Sequence, residues 1–205
     1  LGIDVDIFNE KGESVGANHK GELVIKNPFP TVPIKFWNDI NNKKIKKAYF
    51  SKYKNIWYHG DFIQKTQNGG FIMLGRSDTT LNPGGVRIGT AEIYRQVENI
   101  EFVRESLAVG QNWKDDVRII LFVVMKTKKK LGVEEINFIK SKVKDNCSPK
   151  HVPHKIIEIP EIPRTKSGKI VELAVKKTIH GENIENLEAL SNPESIKFFK
   201  NLYEK

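Results

Sequence analysis

The chain has 205 residues, a formal net charge of +9, one cysteine and 39% hydrophobic side chains. That length suits one or two small domains, and the apolar content suffices for packed cores, which excludes wholesale disorder. A single cysteine excludes an internal disulfide framework and fits a reducing, cytoplasmic setting. No run approaches the roughly 20 apolar residues of a membrane span, and no charged-then-apolar leader opens the chain, so neither a membrane segment nor a secretory signal is expected.

The first residues, Leu1-Gly2-Ile3-Asp4-Val5-Asp6-Ile7-Phe8, alternate as a half-buried strand already under way, so a longer protein is expected upstream. Asn9-Glu10-Lys11-Gly12 is a turn and Gly21 to Ile25 a second strand. Pro28, Pro30 and Pro33 interrupt the next stretch. Asn68-Gly69-Gly70 is a hairpin signal between Ile63 to Lys65 and Phe71 to Leu74. After Gly75 the character changes. Thr90 can cap a helix whose Ile93, Val97 and Ile100 share one face. Ser106 to Val109 and Ile119 to Met125 are strands, the second apolar throughout and therefore central and covered on both faces. Residues 133–145 form an amphipathic helix with Ile136, Ile139 and Val143 inward and Lys140, Lys142 and Lys144 outward. Lys155 to Ile159 is a short strand and Ile170 to Thr178 a short helix. Asn192-Pro193 starts a last helix, docked by Ile196, Phe199 and Tyr203. The expected fold class is α+β, with a small β-rich unit over 1–76, a compact domain over 77–205 and a hinge at about 76–78.

The basic excess invites a nucleic-acid reading. The lysines are dispersed, and the densest patch, Lys126 with Lys128 to Lys130, lacks the interleaved aromatics of a single-strand binder. A solvated turn accounts for it, so no specific nucleic-acid partner is expected. Cys147 and His151, with scattered histidines elsewhere, do not make a tetrahedral ligand set, and no metal site is expected.

Three segments carry chemistry. In Trp57-Tyr58-His59-Gly60-Asp61, the aspartate at a strand end can accept both hydroxyls of a ribose, although Gly-Asp alone is also an ordinary turn. Gly75 to Ile93 packs two arginines and several glycines before a helix. Arg76 can fork onto ribose or phosphate oxygens, and Gly84-Gly85 leaves room for a ligand against the backbone or simply makes a tight hairpin. Pro163-Arg164-Thr165-Lys166-Ser167-Gly168-Lys169 puts a lysine on a polar loop, where it can meet a phosphate as a point charge or merely face solvent.

In order and spacing, Gly21-Glu22-Leu23, Tyr58-His59-Gly60-Asp61, Gly75-Arg76-Ser77-Asp78 and Ser167-Gly168-Lys169 resemble the adenylate-forming enzymes. That family comprises acyl- and aryl-CoA synthetases, peptide-synthetase adenylation domains and firefly luciferase. The resemblance covers essentially the whole chain. Within the family, Asn82 to Tyr94 and the tail Ser191 to Ser195 followed by Phe198-Phe199 are similar to the acetoacetyl-CoA synthetases.

The resemblance implies roles by position. Asp61 and Arg76 bind ATP and the acyl-adenylate, with His59 standing where most members have threonine. Asp78 is the hinge about which a mobile carboxy-terminal domain rotates. Lys169 stabilises charge as a carboxylate attacks the α-phosphate of ATP. Gly84, Gly85 and Arg87 serve CoA in the thioester step, and Lys144 falls where acetyl-CoA synthetases have an arginine near the CoA 3′-phosphate. The implied substrates are acetoacetate, ATP and CoA, with Mg2+ held outside this chain. The family's Ser/Thr/Gly-rich triphosphate loop ending in Pro-Lys is not found here. The missing amino-terminal domain is therefore an expected partner, and the chain alone is expected to be inactive. Other short acids such as acetate or propionate, a basic polyanion-binding module and a catalytically silent interaction domain are the competing readings.

Overall fold

The computed structural model describes residues 2–126, 130–184, 186–200 and 202. Lys128, Lys129 and Tyr203, named above, lie outside them, as does Leu1. The chain divides into two compact units, one ending at Ser77 and the other beginning at Asp78.

The first unit is a four-stranded antiparallel sheet in sequence order: β1 (Val5–Phe8), β2 (Lys20–Ile25), β3 (Trp57–Lys65) and β4 (Phe71–Arg76). Ile7, Val24, Phe62, Ile63 and Leu74 fill its core. The alternation expected of the first strand breaks at Asp6, which is buried. Its carboxylate accepts the Ile7 amide at 2.8 Å and Ser14 Oγ at 2.9 Å, and pairs with Lys26 at 3.3 Å. A charge so partnered tolerates an inward position that composition alone forbids. The hairpin expected at Asn68-Gly69-Gly70 joins β3 to β4, closed by the Thr66 amide on Gly70 O at 2.8 Å. A helix the sequence did not reveal, α1 (Lys43–Tyr49), has Ile45 as its buried residue. Asp39 supplies the start signal from upstream, accepting the amides of Lys44 and Ile45 at 2.7 and 2.9 Å. Tyr49 stacks on Trp57 with centroids 3.7 Å apart, which docks α1 on β3.

The second unit is built on a three-stranded sheet. β5 (Val103–Trp113) and β6 (Asp116–Met125) form a long antiparallel hairpin, and β7 (Lys155–Glu158) adds to β6 in parallel. The hairpin turns through Lys114 and Asp115, both at positive φ (47° and 62°), the combination a two-residue turn needs to match strand twist. β6 is the central strand and is buried on both faces. Ile119, Leu121, Val123 and Met125 join one core with α2 (Thr90–Val97) and α3 (Val133–Asn146). Ile120, Phe122 and Val124 join a second core with α4 (Glu172–Ile179) and a terminal 3-10 segment, Pro193–Phe199.

Several element details differ from expectation. Thr90 is the first helical residue of α2. Gly89 precedes the helix, and its amide is accepted by Glu92 Oε1 at 3.0 Å, so the capping group is the carboxylate one turn in. Ile100 is buried but lies beyond the helix end. α4 starts at Glu172, because Ile170 is engaged in an antiparallel bridge with Arg164. The last segment is a 3-10 turn rather than an α-helix, and Asn192 does not cap it, since its side chain is bonded elsewhere. The outer edge of β5 is closed by side chains. Ser106, Ala108 and Asn112 amides go to Glu98, the Tyr94 hydroxyl and His180 at 3.2, 3.0 and 3.0 Å. Edge amides so satisfied cannot recruit another strand. Among the described residues, no helix is long and apolar enough to cross a membrane.

Candidate active site

In the first unit, Asp61 and Arg76 are cross-strand partners in the β3–β4 register. Arg76 Nη1 donates to Asp61 Oδ1 at 3.3 Å and to His59 O at 3.4 Å. Gly60 makes this possible. It sits at φ 84°, and a Cβ there would lie 2.8 Å from Arg76 Nη2. His59, flagged by sequence only as an unusual neighbour, is part of the cluster. Its Nδ1 faces the Trp57 indole N–H at 3.2 Å and its Nε2 faces Asp61 Oδ2 at 3.4 Å. The indole can only donate, so in neutral His59 the proton is on Nε2, directed at the carboxylate. Asp61 keeps 15% of its side-chain surface exposed, against 52% for Arg76. A carboxylate oriented by two donors, with lone pairs left over, can take the two hydroxyls of a vicinal diol.

The segment between the units is fixed on each side of Asp78 by a hydroxyl–carboxylate bond. Ser77 Oγ donates to Glu22 Oε2, and the Ser77 amide donates to Gly60 O at 3.0 Å. Glu22, from the Gly21-Glu22-Leu23 motif, is fully buried and also takes Lys52 Nζ at 2.7 Å. Beyond Asp78, Thr79 Oγ1 donates to Glu172 Oε2 at 2.7 Å, and the Tyr94 hydroxyl donates to Glu172 Oε1. Lys176 Nζ reaches Asp78 O at 3.4 Å, while Asp78 itself is exposed. Burial, with the adjacent Glu172 charge, pushes the Tyr94 phenol well above its ordinary value. Glu172 was not a sequence candidate. Its partners are distant in the chain, and only the fold brings them to it.

Within the second unit the expected residues fall on opposite faces of the sheet. Gly84 and Gly85 form a 3-10 turn between Leu81 and Ile88, which bridge each other and bury into the core under α2 and α3. Asp116 accepts the Gly84 amide on both carboxylate oxygens, at 2.8 and 3.1 Å. The Val117 and Gly84 amides, with the Lys150 charge nearby, hold the Asp116 carboxyl below the ordinary range. Gly84 has φ 56°, and a Cβ there would run into the Lys150 ammonium. A groove of about 600 Å3, lined by Asn82, Gly85, Trp113, Lys114 and Asp116 among others, runs beside this turn. Arg87 Nε is held on Thr80 Oγ1 at 3.3 Å. Lys144 is exposed in the last turn of α3, on the same side of the sheet.

Lys169 belongs to the other face. It is exposed in a tight turn that leads into α4, with Thr165 N on Lys169 O at 2.8 Å and Lys169 N on Thr165 Oγ1 at 3.1 Å. Cys147 and His151, set aside as ligands above, pack against α2. His151 is buried between Ser148 Oγ at 2.8 Å and Glu92 Oε2 at 3.5 Å, and Cys147 Sγ lies 3.7 Å from Glu92 O. Among the described residues no group of three His, Cys, Asp or Glu side chains could hold a metal ion.

The chain is 51% identical over 204 residues to the acetoacetyl-coenzyme A synthetase of Rhizobium meliloti strain 1021, covering 100% of this chain and 31% of that protein. To the acetoacetyl-CoA synthetase of Xenopus tropicalis it is 45% identical over 206 residues, covering 100% of this chain and 30% of that protein. The solved acetoacetyl-CoA synthetase of Streptomyces lividans superposes with a TM-score of 0.91 at 36% identity, over 99% of this chain and 31% of that one. The chain belongs to the acetoacetyl-CoA synthetases of the adenylate-forming superfamily. No family model matches it. It spans less than a third of the length of these acetoacetyl-CoA synthetase relatives. The family expected from the sequence is the one found, and the α+β class holds as well.

Proposed function

We propose that this chain is the carboxy-terminal part of an ATP-dependent acid–thiol ligase that activates acetoacetate as acyl-AMP and passes it to CoA. Asp61 and Arg76 hold the ribose of the nucleotide. Lys169 serves the first half-reaction, in which the acid carboxylate attacks the α-phosphate and pyrophosphate leaves. Its charge stabilises the oxygens as negative charge gathers on them, an effect worth about 3 to 4 kcal/mol. The domain then rotates about Asp78, withdrawing Lys169 and bringing Gly84, Gly85 and Arg87 to the adenylate. The CoA thiol attacks the acyl carbon and AMP leaves, with Lys144 beside the CoA 3′-phosphate.

One observation carries this reading. The lysine turn and the glycine turn are mounted on opposite faces of the same sheet, each wired to a different helical layer. One rigid body with two such faces needs a rotation to apply both to one substrate. The bonds that hold Ser77 and Thr79 support Asp78 as the pivot, since each neighbour is fixed and Asp78 alone is exposed between them. In this reading an amino-terminal domain, within the remaining length of the relatives, completes the site, and these 205 residues alone are inactive. In the same reading Mg2+ enters with ATP, on residues outside this chain. The setting is cytoplasmic.

The test is an assay of the full-length enzyme against acetoacetate, acetate and propionate, with Lys169→Ala alongside. Acetoacetate is expected to be the preferred acid. Lys169→Ala is expected to lose pyrophosphate exchange while still forming thioester from supplied acetoacetyl-adenylate. Preference for another acid removes the substrate assignment, and equal loss of both half-reactions removes the division of labour.

A further inference from the structure

The turn that presents Lys169 does not stand alone, because the chain's last segment runs back along it. Leu190 bridges Thr165 in antiparallel fashion, and Lys166 N donates to Ala189 O at 3.0 Å. Ser191 gives its amide to Arg164 O at 2.8 Å and its hydroxyl to the same oxygen at 3.1 Å. Asn192 closes the run. Its Oδ1 accepts the Arg164 amide at 2.9 Å, and its Nδ2 donates to Ile162 O at 3.1 Å and Glu161 Oε2 at 2.9 Å. On the far side, Arg164 bridges Ile170. The approach to Lys169 is thus the middle line of a three-line ribbon, with the tail on one edge and the return from the turn on the other. Leu190 anchors the tail by burying beside Ala174 and Ile196.

Arg164 reinforces the ribbon from within. Its guanidinium donates through Nη1 to Gly168 O at 2.7 Å, the carbonyl just before Lys169, and through Nη2 to Glu105 Oε2 on β5 at 2.8 Å. One planar fork therefore ties the tip of the turn to the sheet. Exposed polar turns ordinarily sit at the low-stability end of a structure. An electrostatic catalyst works only when its charge is already placed, and a misplacement of about 1 Å costs roughly a hundredfold.

We propose that Asn192 and Arg164 are positioning residues for the adenylation step, acting through the turn that carries Lys169. The claim rests on the adenylation role given to Lys169 above. Asn192 joins the middle line to the tail, and Arg164 joins the tip to β5. Neither touches substrate.

In the full-length enzyme, Asn192→Ala is expected to lower kcat for acetoacetate-dependent pyrophosphate exchange by roughly ten- to a hundredfold. KM for ATP and acetoacetate is expected to stay unchanged, as is thioester formation from supplied adenylate. Hydrogen exchange at the Thr165 and Lys169 amides is expected to speed up. Arg164→Lys keeps the charge but not the fork and is expected to behave likewise. Asn192→Asp sets two carboxylates against each other and is expected to fail as Asn192→Ala does. Adding Glu161→Gln supplies a donor for the new aspartate but leaves its oxygen against Ile162 O, so the double variant is expected to recover only in part. A parallel fall in both half-reactions, or faster exchange with adenylation unmoved, overturns the proposal. Lys169→Ala separates the two claims. If it leaves pyrophosphate exchange intact, the role of Lys169 is wrong. If it abolishes exchange while Asn192→Ala does not move it, only the positioning claim is wrong.

Discussion

Replacing Glu172 with alanine tests how the second unit is held together beside Asp78, the proposed pivot. The carboxylate accepts Thr79 Oγ1 at 2.7 Å and the Tyr94 hydroxyl, which itself takes the Ala108 amide at 3.0 Å. Hydrogen bonds to a charged group are worth about 1.5 to 3 kcal/mol each, and truncation leaves both donors without this acceptor. The site is half-buried, so water recovers part of the loss, and a net cost of about 3 kcal/mol is expected. For a domain of this size that corresponds to a fall in Tm of about 10 °C. Glu172→Gln keeps the shape and one good acceptor, and Thr79 can reverse its hydroxyl, so about 1 kcal/mol is expected. A double-mutant cycle with Tyr94→Phe isolates the shared term, expected at about 1 to 2 kcal/mol. Calorimetry on the 205-residue chain, following the transition of residues 78–205, reads all of these. An alanine variant within about 0.5 kcal/mol of wild type, or strict additivity with Tyr94→Phe, refutes the reasoning.

Gly60→Ala is expected to push the Arg76 guanidinium off the strand and raise the Kd for AMP of the full-length enzyme about tenfold, measured by calorimetric titration. An unchanged Kd removes Arg76 from the nucleotide site. Asp116→Ala frees the Gly84 amide, and is expected to slow thioester formation while leaving pyrophosphate exchange and Tm nearly unchanged, because Asp116 is exposed. Tyr94 gives a pH signature. Its folded-state value lies above the ordinary 10, so its contribution is complete below pH 10 and is lost as pH rises through the higher folded value. The Tm difference between wild type and Tyr94→Phe is therefore expected to hold up to about pH 10 and to fall as pH rises beyond it. A difference that holds constant contradicts a phenol held protonated by the fold.

The parts of the fold legible in the sequence are those set by local pattern. The unbroken apolar run of β6 announced a strand covered on both faces, and Asn68-Gly69-Gly70 announced its hairpin. The spacing of Ile139 and Val143 placed α3. What stayed hidden depends on partners far along the chain. Glu172 meets Thr79 and Tyr94 across 93 and 78 residues, and no periodicity reports such a pairing. Asp6 breaks its strand's alternation because Ser14 and Lys26 satisfy it, and α1 has one buried side chain with its starting acceptor outside the helix. Asn192 looks like a helix cap because Asn-Pro is a good cap dipeptide, yet the Arg164 amide and Ile162 carbonyl claim its side chain first. Motif order singled out Asp61, Arg76 and Lys169 as candidates, whereas His59 joined the Asp61 cluster only when its ring was seen between Trp57 and Asp61.

The two-sided character of β6 underlies the proposed mechanism more deeply than any single site residue. A strand with one polar face supports one helical layer and can position one catalytic segment well. Here alternate side chains of one strand brace α2 and α3 in one direction and α4 in the other. The Gly84 turn is held by Asp116 at the start of β6 on the first side, and Lys169 is held through Arg164 and Glu105 to the neighbouring β5 on the second. Both turns are thus referred to the same pair of strands, although they point in different directions. In the proposed rotation that pair moves as a body, carrying one turn away as it brings the other in, with no refolding of either. With both turns kept intact, the proposed rotation can be left to the backbone of Asp78, flanked as it is by Ser77 and Thr79 on their carboxylates.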